Sequence, residues 1–118
     1  MFRSRISLLM MALGLGAGCQ TPEDPPAGAS GRTIYRLQLC RNCHGEAGEG
    51  RSNGPPLRGL AKHWTRADLA DFLGDTEGWE ERDERLAGLS EEYSGDMRAY
   101  ANLTAAERTR LAEYLLGL

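Results

Sequence analysis

The chain has 118 residues, 26% of them charged and 41% hydrophobic, with a formal net charge of −3. That length allows one small domain with little apolar surface of its own to bury. Its 17 acidic groups outnumber 14 basic ones and no run of five like charges occurs, which excludes the basic footprint of a nucleic-acid binder.

Residues 1–18 read as an export signal. Arg3 and Arg5 make a basic start, and Ile6 to Ala17 form an apolar stretch ending in small residues. The stretch is shorter than the ~20 apolar residues a spanning helix needs. Cys19 follows Leu15-Gly16-Ala17-Gly18, a junction that resembles the bacterial lipoprotein signal, whose cysteine becomes the lipidated N-terminus. Gly16 stands where that pattern usually carries leucine, and an ordinary secretory peptide with an incidental cysteine is the alternative. Both readings send the product out of the cytoplasm, to face the periplasm or the cell exterior. Lipidation would add a membrane anchor.

Residues 19–30 then read as a lipidated cysteine and a flexible tether. Gln20 to Ser30 holds three of the five prolines and almost no apolar bulk. Removal of residues 1–18 leaves 100 residues carrying 12 basic and 17 acidic groups, a net charge of −5, with one domain over residues 31–118.

Gly31 to Cys43 carries Ile34, Leu37 and the Tyr35/Leu39 pair at helical offsets, predicting a helix that runs directly into Cys40-Arg41-Asn42-Cys43-His44. Two cysteines two residues apart, with histidine next, form the attachment signature of covalent haem. Residues three apart share a helical face, so both thiols can reach the vinyl groups on one porphyrin edge. Thioether bonds there place His44 beneath the iron as an axial ligand. A disulfide redox motif uses similar cysteines but sits on a βαβ background, and no such pattern is present. Structural zinc needs four tetrahedral ligands. After residue 18 and apart from Cys19, the soft and imidazole candidates are Cys40, Cys43, His44 and His63, and adjacent Cys43 and His44 are poorly placed to chelate one ion. An ordinary buried thiol pair beside a chance histidine is the remaining alternative. One motif means one haem.

Further along, Thr65-Arg66-Ala67-Asp68 resembles a capping box with Asp for Glu, opening a helix whose Leu69, Phe72 and Leu73 share a face before Gly74 closes it. Asp75 to Arg85 is highly charged around Trp79 and reads as a solvated loop or marginal helix, and Ser90 is placed to cap another short turn. Thr104-Ala105-Ala106-Glu107 is a full capping box, followed by the apolar stripe Leu111, Tyr114, Leu115 and Leu118. No alternating β-branched segment suggests a sheet, and valine is absent.

Helix, Cys-x-x-Cys-His-Gly, the loop Gly54-Pro55-Pro56-Leu57-Arg58-Gly59, late Met97 and a closing helix together resemble a class I cytochrome c over Gly31 to Leu118. The resemblance implies a small all-α fold of three to five helices around one covalently bound haem c. It implies Met97 as the distal iron ligand, with His63 the rival, and a carbonyl of Pro55 or Pro56 accepting from His44. A ligating imidazole needs such an acceptor to fix its ring. Leu57 is expected to pack on the haem, Gly59 to allow a turn, and Gly31 and Tyr35 to lie where the first helix crosses the last, near Leu111 and Tyr114. Arg98 departs from the family, which usually has proline after this methionine. Proline would fix φ and stiffen the loop; arginine does not. The implied function is a monohaem carrier of single electrons between redox partner proteins, without catalysis. The alternatives are an enzyme or gas or peroxide sensor with an open distal iron site, and a haem subunit docked on a membrane oxidoreductase.

Overall fold

A computed structural model describes residues 21–118. The export signal and Cys19 lie outside them. Six α-helices form among the described residues: α1 (Gly31–Leu37), α2 (Arg41–His44), α3 (Arg66–Gly74), α4 (Thr76–Arg82), α5 (Glu84–Glu92) and α6 (Ala105–Leu116), with a 3-10 turn at Leu60–Lys62. No strand occurs among these residues, only an isolated bridge between Arg51 and Gly54. No described helix is long and apolar enough to cross a membrane. The all-α class is as expected.

The helix count exceeds three to five in part because Asp75 to Arg85, expected as a loop or marginal helix, holds all of α4 and the start of α5. Two aspartates start two helices there. Asp75 Oδ1 accepts from the Gly78 amide at 3.2 Å, and Asp83 Oδ1 from Arg85 and Leu86 at 2.9 and 3.2 Å. Each satisfies amides that a helix start leaves unpaired. Ser90 falls inside the last turn of α5 and caps nothing.

The first expected helix is also divided. Leu39 adopts φ 60°, the left-handed region, and separates α1 from α2. Its amide bonds to Arg36 O at 3.2 Å and the Cys40 amide to Tyr35 O at 3.1 Å. This pair is a Schellman termination with leucine where glycine is usual. The conformation costs a leucine roughly 1–2 kcal/mol, and it turns the chain so that α2 begins right after the first motif cysteine, its N-cap.

Caps elsewhere match the sequence. Thr65 Oγ accepts from Asp68 N, and Thr104 and Glu107 make both bonds of a capping box. Ile34 and Tyr35 of α1, Leu69 and Leu73 of α3, and Leu111, Ala112 and Leu115 of α6 form the buried centre. Helix α6 packs on both α1 and α3. A Cβ on Gly31 would collide with the Arg110 carbonyl and come within 2.6 Å of Tyr114 Cβ, so α1 and α6 cross with their backbones close. Tyr35 and Tyr114 meet at that crossing with ring centroids 5.5 Å apart.

The stretch expected as a swinging tether is fastened from Glu23 onward. Glu23 N bonds Leu37 O at 3.2 Å, Gln38 Nε2 bonds Glu23 O at 2.7 Å, Asn102 Nδ2 bonds Asp24 Oδ1 at 3.0 Å, and Arg110 Nε bonds Ala29 O at 2.9 Å. Ala29 is buried. A polar, proline-rich composition describes a chain with no core of its own. Here the Leu37 carbonyl and the Gln38 amide at the end of α1, Asn102 in the loop before α6 and Arg110 of α6 hold it instead.

Candidate functional site

Helix α2 is a single turn, and it brings both motif cysteines and His44 to one wall of a cavity of about 870 Å³. Pro55, Pro56, Leu57 and Met97 line the same cavity. Cys40 is 7% exposed and Cys43 half-buried, both as free thiols. Burial pushes the Cys40 thiol up to about 11. An attacking disulfide oxidoreductase thiol is shifted the other way, toward the thiolate. Among the described residues, no three His, Cys, Asp or Glu side chains group to hold a metal ion.

His44 is buried, and its Nδ1 lies 2.7 Å from the carbonyl oxygen of Pro55. A carbonyl only accepts, so Nδ1 carries the proton and Nε2 the lone pair. Burial lowers the His44 pKa below its usual value, while the Pro55 bond opposes that shift. The ring is thereby a neutral imidazole in a fixed tautomer, the form a metal ligand requires. Of the two candidate prolines, Pro55 is the acceptor and Pro56 is exposed. A Cβ on Gly54 would meet Cys43 O at 2.5 Å, so only glycine lets this loop pass against α2. Leu57, 8% exposed, is held by its amide to Gly48 O at 2.8 Å.

Met97 is half-buried in an irregular segment between α5 and α6. Three of the bonds that hold that segment lie close to Met97: Gly95 N to Asn53 O at 3.1 Å, Tyr100 N to Leu73 O at 2.8 Å, and Thr76 Oγ1 to Met97 O at 3.3 Å. Asn53 also reaches the other way, its Nδ2 lying 3.3 Å from both Asn42 O and Cys43 Sγ. His63 lines the cavity too, but it is exposed and nothing among the described residues hydrogen-bonds its ring.

Several residues in or around the site were not singled out from the sequence. Trp64 is 8% exposed, stacks on Phe72 and Trp79 with centroids 5.0 and 5.3 Å away, and has the Arg85 guanidinium 5.6 Å from its ring centroid. A signal existed: Trp64 directly precedes the Thr65 cap and Leu69 follows at the fourth helical position, the spacing of a hydrophobic staple. Asn53 and Thr76 carried no comparable signal, because each acts through a partner distant in sequence.

Two thiols on one helical turn, a neutral oriented imidazole and an apolar-walled cavity fit a covalently attached haem, and they define a small helical haem-binding domain. A family model, Cytochrome c, matches residues 28–118, and the chain belongs to that family. Comparisons with curated proteins and with solved structures gave no match. The family implies covalently bound haem c, haem-based electron transfer and redox partner proteins, in members that are generally carriers and not enzymes.

Proposed function

We propose that this protein is a monohaem carrier of single electrons. Cys40 and Cys43 would hold the one haem c that the single motif allows, and His44 and Met97 would ligate its iron. The haem, when bound, supplies an iron that alternates between ferrous and ferric states. The protein's own part is to fix His44 through Pro55, to close the distal side with Met97, and to wall the site with Leu57, Trp64 and Phe72. Ligation by a thioether and an imidazole would raise the potential relative to harder ligand sets. With His44 and Met97 both engaged, the site would admit no substrate to the metal and would need no general base or nucleophile. The observation that carries this reading is that Met97 and the Pro55-oriented His44 line one cavity with both motif cysteines.

The N-terminal sequence supports export with lipidation at Cys19, which would place electron exchange at a membrane surface. Because the chain is fastened from Glu23 onward, only four peptide units separate that cysteine from the domain. They span at most about 14 Å. The domain would therefore work close to its anchor and serve partners beside it.

A spectrum of the purified protein in both redox states, with and without carbon monoxide, tests the carrier reading. The ferric protein is expected to show the weak near-infrared sulfur-to-iron band, and Met97→Ala to abolish it and open the iron to carbon monoxide. Rapid carbon monoxide binding by the native ferrous protein would instead favour an open-site enzyme or sensor.

A further inference from the structure

Met97 sits in a segment whose stiffness the sequence does not explain, since Arg98 lacks the ring that would fix φ there. The two ends of the segment are pinned at Gly95 and Tyr100. Between them, among the described residues, one hydrogen bond reaches residues 96–99, from Thr76 Oγ1 to the Met97 carbonyl at 3.3 Å. Thr76 is 3% exposed, although it occupies the first position of α4, where the side chain of a short surface helix ordinarily meets water. A buried hydroxyl needs a partner, and the Met97 carbonyl provides it.

The position of that hydroxyl is narrowed by its surroundings. A β-branched threonine in a helix is restricted to two main χ1 rotamers, and burial leaves this one on the Met97 carbonyl. Asp75 caps the helix that carries it, and Trp79 Nε1 ties the same helix to α3 through Asp71 at 2.8 Å. A buried donor on a tethered helix thus holds the backbone of the residue whose side chain must stay in place.

We propose that Thr76 is the positioning residue for Met97, supplying through a hydrogen bond the restraint that a following proline would supply through its ring. The inference rests on Met97 being the distal ligand. It assigns α4, the helix hidden in a charged run, a task at the cavity.

The test compares Thr76→Val, which keeps shape and removes the hydroxyl, with Thr76→Ser, which keeps the hydroxyl, in protein carrying its covalent haem. Losing one hydrogen bond should raise the rate of carbon monoxide binding to ferrous Thr76→Val about threefold to tenfold, and its ferric near-infrared band should bleach at a lower temperature. Thr76→Ser should behave as the wild type. Where Thr76→Val fails to accumulate, Thr76→Ala gives the same contrast without a mismatched buried group. Wild-type behaviour of Thr76→Val, or equal effects of Val and Ser, overturns the proposal and reduces Thr76 to packing. A wild-type protein lacking the sulfur-to-iron band rejects Met97 ligation and takes this inference with it. A normal wild-type band with an unaltered Thr76→Val rejects the role of Thr76 alone.

Discussion

Replacing both Cys40 and Cys43 by alanine is expected to leave a haem-free chain with no stable fold. The cavity has a volume of about 870 Å³ in a domain whose described part is 98 residues long. Residual cavity volume destabilises a protein core by about 24 cal/mol per Å³, so a dry void of this size would cost about 20 kcal/mol. The cavity is open on one side, so that figure is an upper bound, but the apolar walls left facing water still cost the domain part of its stability. A domain of this length has roughly 5–15 kcal/mol in total. Helices α3 and α6 would keep their caps, but Trp64, Phe72 and Leu73 would lose the surface they line. Far-UV circular dichroism and thermal melting of the double variant, purified without added haem, test the argument. A haem-free protein with the helix content of the native one and a sharp cooperative melt would refute it, because the helices would then support one another across the cavity unaided.

Leu39→Ile keeps side-chain volume but places a β-branch at φ 60°, so it should lower stability by about 1 kcal/mol; an unchanged denaturant midpoint would show that the turn relaxes. Burial first, then the charges of Asp96 and Glu77, raise the Glu80 pKa above its usual value. The native state therefore carries a penalty when Glu80 is ionised, fully present above the folded pKa and relieved as pH falls through the folded and then the unfolded value. Glu80→Gln should accordingly melt higher than wild type at pH 7, with the advantage gone near pH 3. Membrane fractionation of wild type against Cys19→Ser checks the anchor: a wild-type haem protein as soluble as the variant would leave Cys19 incidental.

What the sequence revealed and what it hid divide along physical lines. The haem motif, the Thr104–Glu107 box and the stripe of α6 are local patterns in which every partner lies within a turn or two, and they were legible. Pro55 was half legible, since either proline fits the spacing and only the folded loop decides which carbonyl meets His44. Helices α4 and α5 were obscured because their starts are aspartates inside a run already rich in acid. The Leu39 turn was invisible, because leucine in the left-handed region violates the preference on which a reader relies. The fastening of residues 23–30 depends on Gln38, Asn102 and Arg110, none of which is close to its partner along the chain. Thr76 and Asn53 belong to the same class.

Asn53 deserves a last consequence. Its side chain rests on Asn42 and Cys43 and its backbone carbonyl holds Gly95, so one residue joins the cysteine-bearing turn to the segment that leads to Met97. Electron transfer is slowed by whatever atoms must shift when the charge at the centre changes. In the proposed carrier, two walls that share a clasp would not drift apart independently, which would keep small the nuclear rearrangement accompanying each one-electron step.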